Sequence, residues 1–321
     1  MKEDINYDFV VIGAGGAGLA AAIYAARLKL KTLVLGHPHS TELPIGGVIT
    51  TTNIVENYPG FIKISGKGLA EKIEQHARSY DLVEIKEEQV TGIKKSDKSF
   101  IVKTNKSEYK SKTLLFATGT KLKKLPESVK GSREFENKGI SYCALCDGPL
   151  FKNKVVAVIG GSNSAAKNAL FLTEYAKKIY IIYRGEQIRP EPINLERMEK
   201  NKKIEIITKT NIKEIKGGEI VTSVVLGRPY KGKKELRVDG IFVAIGNIAL
   251  SDLAKQLGVE LNKEGEIKIN HMNSETNVSG VYAAGDVTDK PFKQLITGVA
   301  DGCTAAYSAY EYIKKNRVFT Y

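Results

Sequence analysis

Residues 141–150 read SYCALCDGPL, two cysteines three positions apart with an aspartate directly behind the second. Three chemistries fit such a pair: a metal clip, a structural staple, or a dithiol–disulfide couple. A structural zinc site takes four Cys/His ligands, often two such pairs. Here the remaining cysteine is Cys303, and the histidines stand at 37, 39, 76 and 271, none of them near the pair. A permanent bond across so short a gap adds little, because the gain from loop closure grows with loop length. Redox cycling is the reading left. A CxxC pair lowers the pKa of one thiol and makes it a nucleophile near neutral pH. Asp147 is placed to shuttle protons when the bond opens.

Two glycine loops supply a second chemistry. Gly13, Gly15 and Gly18 form GxGxxG between an apolar run and a small-residue stretch, in YDFVVIGAGGAGLAAAIYAARLKLKTLVLG (7–36). The first glycine allows the tight turn, the second lets the backbone approach a pyrophosphate, and the third lets helix and strand pack closely. The acidic residue expected about 20 positions on, which holds a ribose, is missing, since the strand ends at Leu35-Gly36. The second loop, GGSNSA (160–165), has Gly160, Ser162 and Ala165 in the three positions. Serine at the close-approach position predicts a looser or differently seated ligand. Arg184 follows Ala165 by 19 residues, where NAD sites carry an acid and NADP sites a base, and Arg189 can join it on a 2′-phosphate. Glu186 beside them keeps NADH open as a ligand.

The elements that must position these residues repeat along the chain. Residues 7–36 and 153–185 each run strand, glycine turn, helix, strand, with β-branched runs suited to strands buried on both faces. Each half closes on a strand ending in glycine, TLLFATGT (113–120) and GIFVAIGN (240–247). Stretches such as KSFIVKTNKSEYKSK and EIVTSVVLGRPYKGKKELRVD alternate as antiparallel strands do. The tail, from SETNVSGVYAAGDV onward, returns to the first half with a strand, a Gly-Asp turn and a long helix. The expected fold is α/β, with two Rossmann-like dinucleotide-binding domains of three-layer ββα form, the second inserted into the first. Residues 1–118 and 246–321 make the first and 119–245 the second. Glycine at both crossings permits a hinge.

At 321 residues the chain suits two domains, and 42% hydrophobic with 26% charged residues is ordinary for a soluble protein. No apolar run reaches the ~18–20 residues of a membrane span. The charged N-terminus reads as a first strand rather than a secretory signal, so the cytoplasm is the expected compartment. Net charge is +13. The lysines are interspersed with Glu and apolar residues, without a basic block or interleaved aromatics, which argues against nucleic-acid binding. Steering of an acidic protein partner is the other use of such charge.

In order along nearly the whole chain stand GAGGAG, GGVITTTNIVENYPGF, ATGT, CALCDG, GGSNSA, YRGEQIR, GVYAAGDV and KQLITGVADGC. Together they resemble the low-molecular-weight thioredoxin reductases, FAD-dependent pyridine nucleotide-disulfide oxidoreductases with the active cysteines in the pyridine-nucleotide domain. The resemblance implies that Gly13, Gly15, Gly16 and Ala17 seat the FAD pyrophosphate, with Gly46, Gly47 and Asn57 along the cofactor. Thr118 and Gly119 pass close to it, Gly285 and Asp286 serve its ribityl chain, and Lys293, Gln294 and Leu295 face the flavin. It makes Cys146 the flavin-facing thiol, Cys143 the thiol that attacks thioredoxin, and Asp147 the acid/base. Gly160, Ser162, Ser164 and Ala165 line NADPH, with Arg184 and Arg189 on its 2′-phosphate. It further implies domain rotation as a gate, a homodimer, and a thioredoxin-like or glutaredoxin-like partner.

The chain departs from that pattern at five places. Ser162 replaces a glycine, Gly185 replaces the second of two adjacent arginines, and Tyr183 replaces a histidine. Lys293 replaces an arginine, keeping the charge and losing the forked donor. The link HPHSTELPIGG (37–47) is longer than usual. These changes bear on the choice between NADPH and NADH. Cys303, in an Ala-rich stretch, reads as core packing. Two other enzyme readings stand beside a reductase: an NAD(P)H oxidase in which oxygen drains the flavin, and a flavin-dependent ferredoxin reductase, a type without the CxxC. A basic nucleic-acid binder is the non-enzyme alternative.

Overall fold

The computed structural model describes residues 7–36 and 45–318. The long link at 37–44, with His37 and His39, lies outside the described residues.

The chain opens with β1 (Tyr7–Ile12), α1 (Gly16–Arg27) and β2 (Thr32–Gly36). Next come α2 (Gly66–Arg78), β3 (Val83–Glu87), β4 (Val90–Ser96), β5 (Ser99–Thr104), β6 (Glu108–Phe116) and β7 (Thr120–Leu122). A second set follows: β8 (Ile140–Ser141), α3 (Ala144–Asp147), β9 (Val155–Ile159), α4 (Asn163–Leu172), β10 (Lys178–Ile182) and α5 (Pro192–Glu199). It continues with β11 (Ile204–Ile207), β12 (Ile212–Gly217), β13 (Val221–Tyr230), β14 (Lys233–Arg237) and β15 (Gly240–Val243). The chain then returns through β16 (Asn247–Ala249), α6 (Asp252–Gln256), β17 (Val281–Ala283) and α7 (Leu295–Val318).

Two compact units result, one of Met1–Lys121 with Ile248–Tyr321 and one of Leu122–Asn247. Sequence placed the crossings at 118/119 and 245/246, a few residues earlier on the way out and on the way back. The difference has a local cause. β7 and β16 pair as a two-stranded ribbon, and it is this ribbon that the boundary crosses.

The first unit holds a seven-stranded sheet in the order β3-β2-β1-β6-β5-β4. β1, β2 and β3 run parallel, as does β1 with β6. β6 is long enough to serve two neighbours: its start pairs antiparallel with β5, and Leu114–Phe116 pair parallel with Val281–Ala283 of β17. Alternate residues of β1 enter opposite cores because a strand's side chains alternate in direction. Phe9 and Val11 join Ala21, Ala22 and Ala25 of α1 and Ala305, Ala306 and Ala309 of α7. Val10 and Ile12 join Val90, Phe100, Val102 and Val259 on the other face. Small residues let α1 and α7 approach closely: a Cβ on Gly302 would stand 2.1 Å from the Ala17 carbonyl oxygen.

The second unit has a parallel five-stranded sheet in the order β11-β10-β9-β15-β8. Val156, Val158 and Ile181 pack on Ala165, Ala166, Ala169 and Leu172 of α4. Ala157, Ile159 and Ile182 pack on Ile212, Ile215, Val224 and Leu226 of the antiparallel β12-β13-β14 sheet. Sheet, helix layer and antiparallel layer are the three layers that the sequence pattern predicts.

Candidate functional site: a redox disulfide and two glycine-loop helix ends

Cys143 and Cys146 form a disulfide with Cα atoms 5.3 Å apart. Cys143 is the N-cap of α3, and the backbone N–H of Cys146 donates to its Sγ at 3.2 Å. Ser141 fixes the approach: its hydroxyl accepts from the Cys143 N–H at 3.1 Å. The backbone N–H of Asp147 donates to the Cys143 carbonyl at 3.1 Å, which holds this aspartate one turn behind the thiol. A donor aimed at a sulfur favours the anion of that sulfur. Cys146 is the more exposed of the two. Among the described residues no cluster of three or more His, Cys, Asp or Glu could hold a metal ion.

In the first unit, packing explains most of the glycines. A Cβ on Gly13 would lie 2.2 Å from the Ala117 carbonyl oxygen, and one on Gly18 would lie 2.0 Å from the Gly13 oxygen. Gly16 is covered by Leu295, whose Cδ1 lies 2.3 Å from the same virtual position. Ala17 lies beneath α7, beside Gly285 and Gly298. Gly15 is different. Its nearest neighbour is the Gly46 oxygen at 3.9 Å, so the protein itself leaves room for a side chain there. Gly15 precedes the first turn of α1 and makes no side-chain cap, which leaves the helix N–H groups to another acceptor. That open cradle fits a pyrophosphate.

Other predicted residues gather around this cradle. The Gly46 N–H donates to the Ala14 oxygen at 2.8 Å, and Gly46 pairs with Gly15 as an isolated bridge. Gly46 and Gly47 take φ of 108° and 71°, values that need glycine. Asn57 Nδ2 donates to Gln294 Oε1 at 3.0 Å. Thr118 Oγ1 donates to the Leu250 carbonyl at 2.6 Å, and the Leu250 N–H donates to the Gly119 oxygen at 3.0 Å. Asp286 follows Gly285 in a 3-10 turn (Gly285–Val287). Burial raises its carboxyl pKa, partly offset by Lys293, and the carboxylate has no hydrogen-bond partner among the described residues. A polyol hydroxyl fits that vacancy in its bonding.

Lys293 Nζ donates to the Asp286 carbonyl at 3.0 Å and is paired with Glu266. Sequence reasoning missed Glu266, for nothing local marks it; the partner lies on a different loop. Cys303 is half-buried, and burial pushes its thiol up to about 11. It stays protonated at neutral pH, in keeping with a packing role.

In the second unit, Gly160 turns at φ 144° against the Ala244 oxygen. Ser162 precedes α4 with no side-chain cap, Ser164 is exposed and Ala165 is buried. The Arg189 N–H donates to the Gly161 oxygen at 2.6 Å. The Tyr183 ring lies over the loop: virtual Cβ atoms on Gly161 and on Gly185 would each come within 2.6 Å of it. Arg189 donates to the Tyr183 hydroxyl at 3.3 Å. Arg184 instead lines an open groove with Glu186, Lys209, Lys213 and Arg228. The two arginines expected on one phosphate therefore have different neighbours. Lys209, Lys213 and Arg228 escaped sequence reasoning because they lie beyond the next strand.

Two glycine-loop dinucleotide folds, one carrying a disulfide just past its edge strand β8, define a class of disulfide oxidoreductases. The chain matches the pyridine nucleotide-disulphide oxidoreductase family over residues 7–306 and belongs to it. It is 43% identical over 314 residues to a 34.2 kDa protein in the rubredoxin operon of Clostridium pasteurianum, covering 98% of this chain and 99% of that one. It is 35% identical over 317 residues to thioredoxin reductase of Bacillus subtilis, covering 98% and 97%. Among solved structures, Lactococcus lactis thioredoxin reductase matches at a TM-score of 0.89 and 35% identity, covering 97% of this chain and all of that one.

Proposed function

We propose that this protein is a thioredoxin–disulfide reductase that binds FAD in its first unit and NADPH in its second, with NADH as the other possible donor. Family membership carries a flavin and a nicotinamide cofactor. The observation that carries the reading is the Cys143–Cys146 disulfide with the Cys146 N–H on the Cys143 sulfur. FAD, when bound, supplies a two-electron carrier between nicotinamide and disulfide. Gly15, Gly46 and Gly47 would hold its pyrophosphate, and Asp286 its ribityl hydroxyls.

The protein's own chemistry begins once two electrons and two protons have converted the disulfide to a dithiol. The Cys143 thiol gives its proton to solvent and, as the thiolate, attacks one sulfur of the partner's disulfide, whose other sulfur leaves and takes up a proton from solvent. The Cys146 thiolate then attacks the Cys143 sulfur, releasing the partner's dithiol and restoring the Cys143–Cys146 bond. Asp147 takes the Cys146 proton and returns it to the departing sulfur. Two electrons leave with the partner, so the cycle balances.

The partner is a thioredoxin, or a thioredoxin-like or glutaredoxin-like protein. We place the enzyme in the cytoplasm as a homodimer without a nucleic-acid role. No helix of the described residues is long and apolar enough to cross a membrane, and many lysines pair with nearby glutamates, as Lys216 does with Glu235 and Lys200 with Glu196.

Cys146→Ala tests the reading against an NAD(P)H oxidase. The variant should bind FAD normally and keep oxygen-coupled oxidation of nicotinamide while losing thioredoxin reduction. Undiminished thioredoxin reduction would overturn the dithiol mechanism.

A further inference from the structure

The groove in the second unit has a volume of about 520 Å³, within the range of about 300–1,000 Å³ usual for small-ligand sites. Four cations line it, Arg184, Lys209, Lys213 and Arg228, against one carboxylate, Glu186. Glu186 is already paired with Lys209 at 3.0 Å. Arg184, Lys213 and Arg228 have no ion pair among the described residues, so three positive charges face one groove uncompensated.

The walls are fixed by backbone. The Lys209 N–H donates to the Gly185 oxygen at 2.9 Å and the Thr210 N–H to the Tyr183 oxygen at 3.2 Å. Buried Thr210 Oγ1 accepts from the Arg228 N–H at 2.9 Å, tying this segment to β13, and the Gly227 N–H donates to the Asn211 oxygen at 2.8 Å. Lys209 thus sits just past β11, and Arg184 just past β10, at the carboxyl ends of parallel strands. Dinucleotides bind at that edge of a doubly wound sheet.

We propose that Lys209, Lys213 and Arg228, with Arg184, form the site for the 2′-phosphate of a nicotinamide dinucleotide and set the preference for NADPH over NADH. The inference rests on the second unit being the nicotinamide site. It assigns phosphate selection to a hairpin far along the chain from the glycine loop, where Gly185 offers no side chain. Arg189, bonded to Gly161 and Tyr183, shapes the loop, and the cations across the groove supply the charge. A phosphate monoester carries close to two negative charges at neutral pH, which three unpaired cations can match.

The test uses the flavin-loaded enzyme and follows thioredoxin reduction with each nucleotide. Lys213→Gln combined with Arg228→Gln should lower kcat/KM for NADPH about tenfold or more, equivalent to about 1.4 kcal/mol, and lower it far less for NADH. Inhibition by 2′,5′-ADP should weaken by a similar factor and inhibition by 5′-AMP hardly at all. Glu186→Gln should shift selectivity the other way, by freeing Lys209. Lys202→Gln, an exposed lysine outside the groove, serves as the control. Parallel losses with both nucleotides, an unchanged ratio, or a wild-type enzyme indifferent to the phosphate would overturn the inference. Failure of the wild-type enzyme with both nucleotides would instead overturn the nicotinamide reading on which it rests.

Discussion

Asp286 is a partly buried carboxylate that accepts no hydrogen bond from the described residues and is favoured only by the nearby charge of Lys293. Burial raises its pKa, so the ionised form costs the apoprotein stability. That cost is absent below the unfolded-state pKa and complete once the pH exceeds the raised folded-state value. A bound hydroxyl that donates to the carboxylate would offset it. Asp286→Asn should therefore raise the melting temperature of the flavin-free protein. The rise should be about 2–4 °C, the shift that about 1 kcal/mol produces in domains of 150–250 residues. The same variant should bind FAD more weakly, by about tenfold, as expected for loss of about 1.4 kcal/mol. Thermal melts with and without flavin check both signs, and a lower melting temperature without flavin would contradict the account.

At the scale of elements, the antiparallel layer of the second unit, packed on the parallel sheet by its apolar face, is also tied to it by one charged residue of β11. Glu205 Oε2 accepts from Lys178 of β10 at 2.8 Å, and Oε1 pairs with Lys231 and Tyr230 of the β13–β14 turn. These donors, Lys178 foremost, lower its carboxyl to about 2. The stability it provides is present above the ordinary glutamate pKa and is lost as pH falls through the lowered one. Glu205→Gln should destabilise the second unit at neutral pH by about 1 kcal/mol, the upper range for partly exposed ion pairs. Denaturant titrations should show variant and wild type converging between about pH 4.5, the ordinary value, and about pH 2.

The elements also show which features were legible in sequence. Both glycine loops and the CxxC pair were readable because strand, turn and helix lie within one local stretch. Gly13 and Gly18 announce themselves by steric need, and the alternation of β1 follows from the pleat. Three kinds of feature were hidden. Glu266 reaches Lys293 across a tertiary fold. The basic groove draws on Lys213 of β12 and Arg228 of β13, which look like the charges of any solvated strand edge. Gly161 and Gly185 carry no signal alone, since it is the Tyr183 ring between them that requires their small size.

For the whole molecule, a net charge of +13 must either guide a partner or simply hydrate the surface. If it guides an acidic thioredoxin-like protein, the second-order rate of protein reduction falls as salt rises. Reduction of a small neutral disulfide over the same range hardly changes, because exposed charges are screened beyond about 8 Å at physiological ionic strength. We expect diverging salt curves for the two substrates. Parallel curves would assign the lysines to hydration alone.

The ribbon of β7 and β16 has a consequence for how the protein is made. Both ends of the inserted unit lie side by side, with the Lys123 N–H donating to the Gly246 oxygen at 2.9 Å. The first unit, by contrast, needs β17 beside β6 and α7 against α1. Translation delivers those elements last. While the ribosome is still working, the alanine face of α1 lacks the α7 side of its cover, whereas β8 to β15 have already emerged as a set. N-terminal domains generally fold first during synthesis; the chain order here predicts the reverse, with the middle unit completing before the first. The half that opens the polypeptide waits for its closing helix, and until α7 arrives the nascent chain presents an unfinished surface of the kind that chaperones hold.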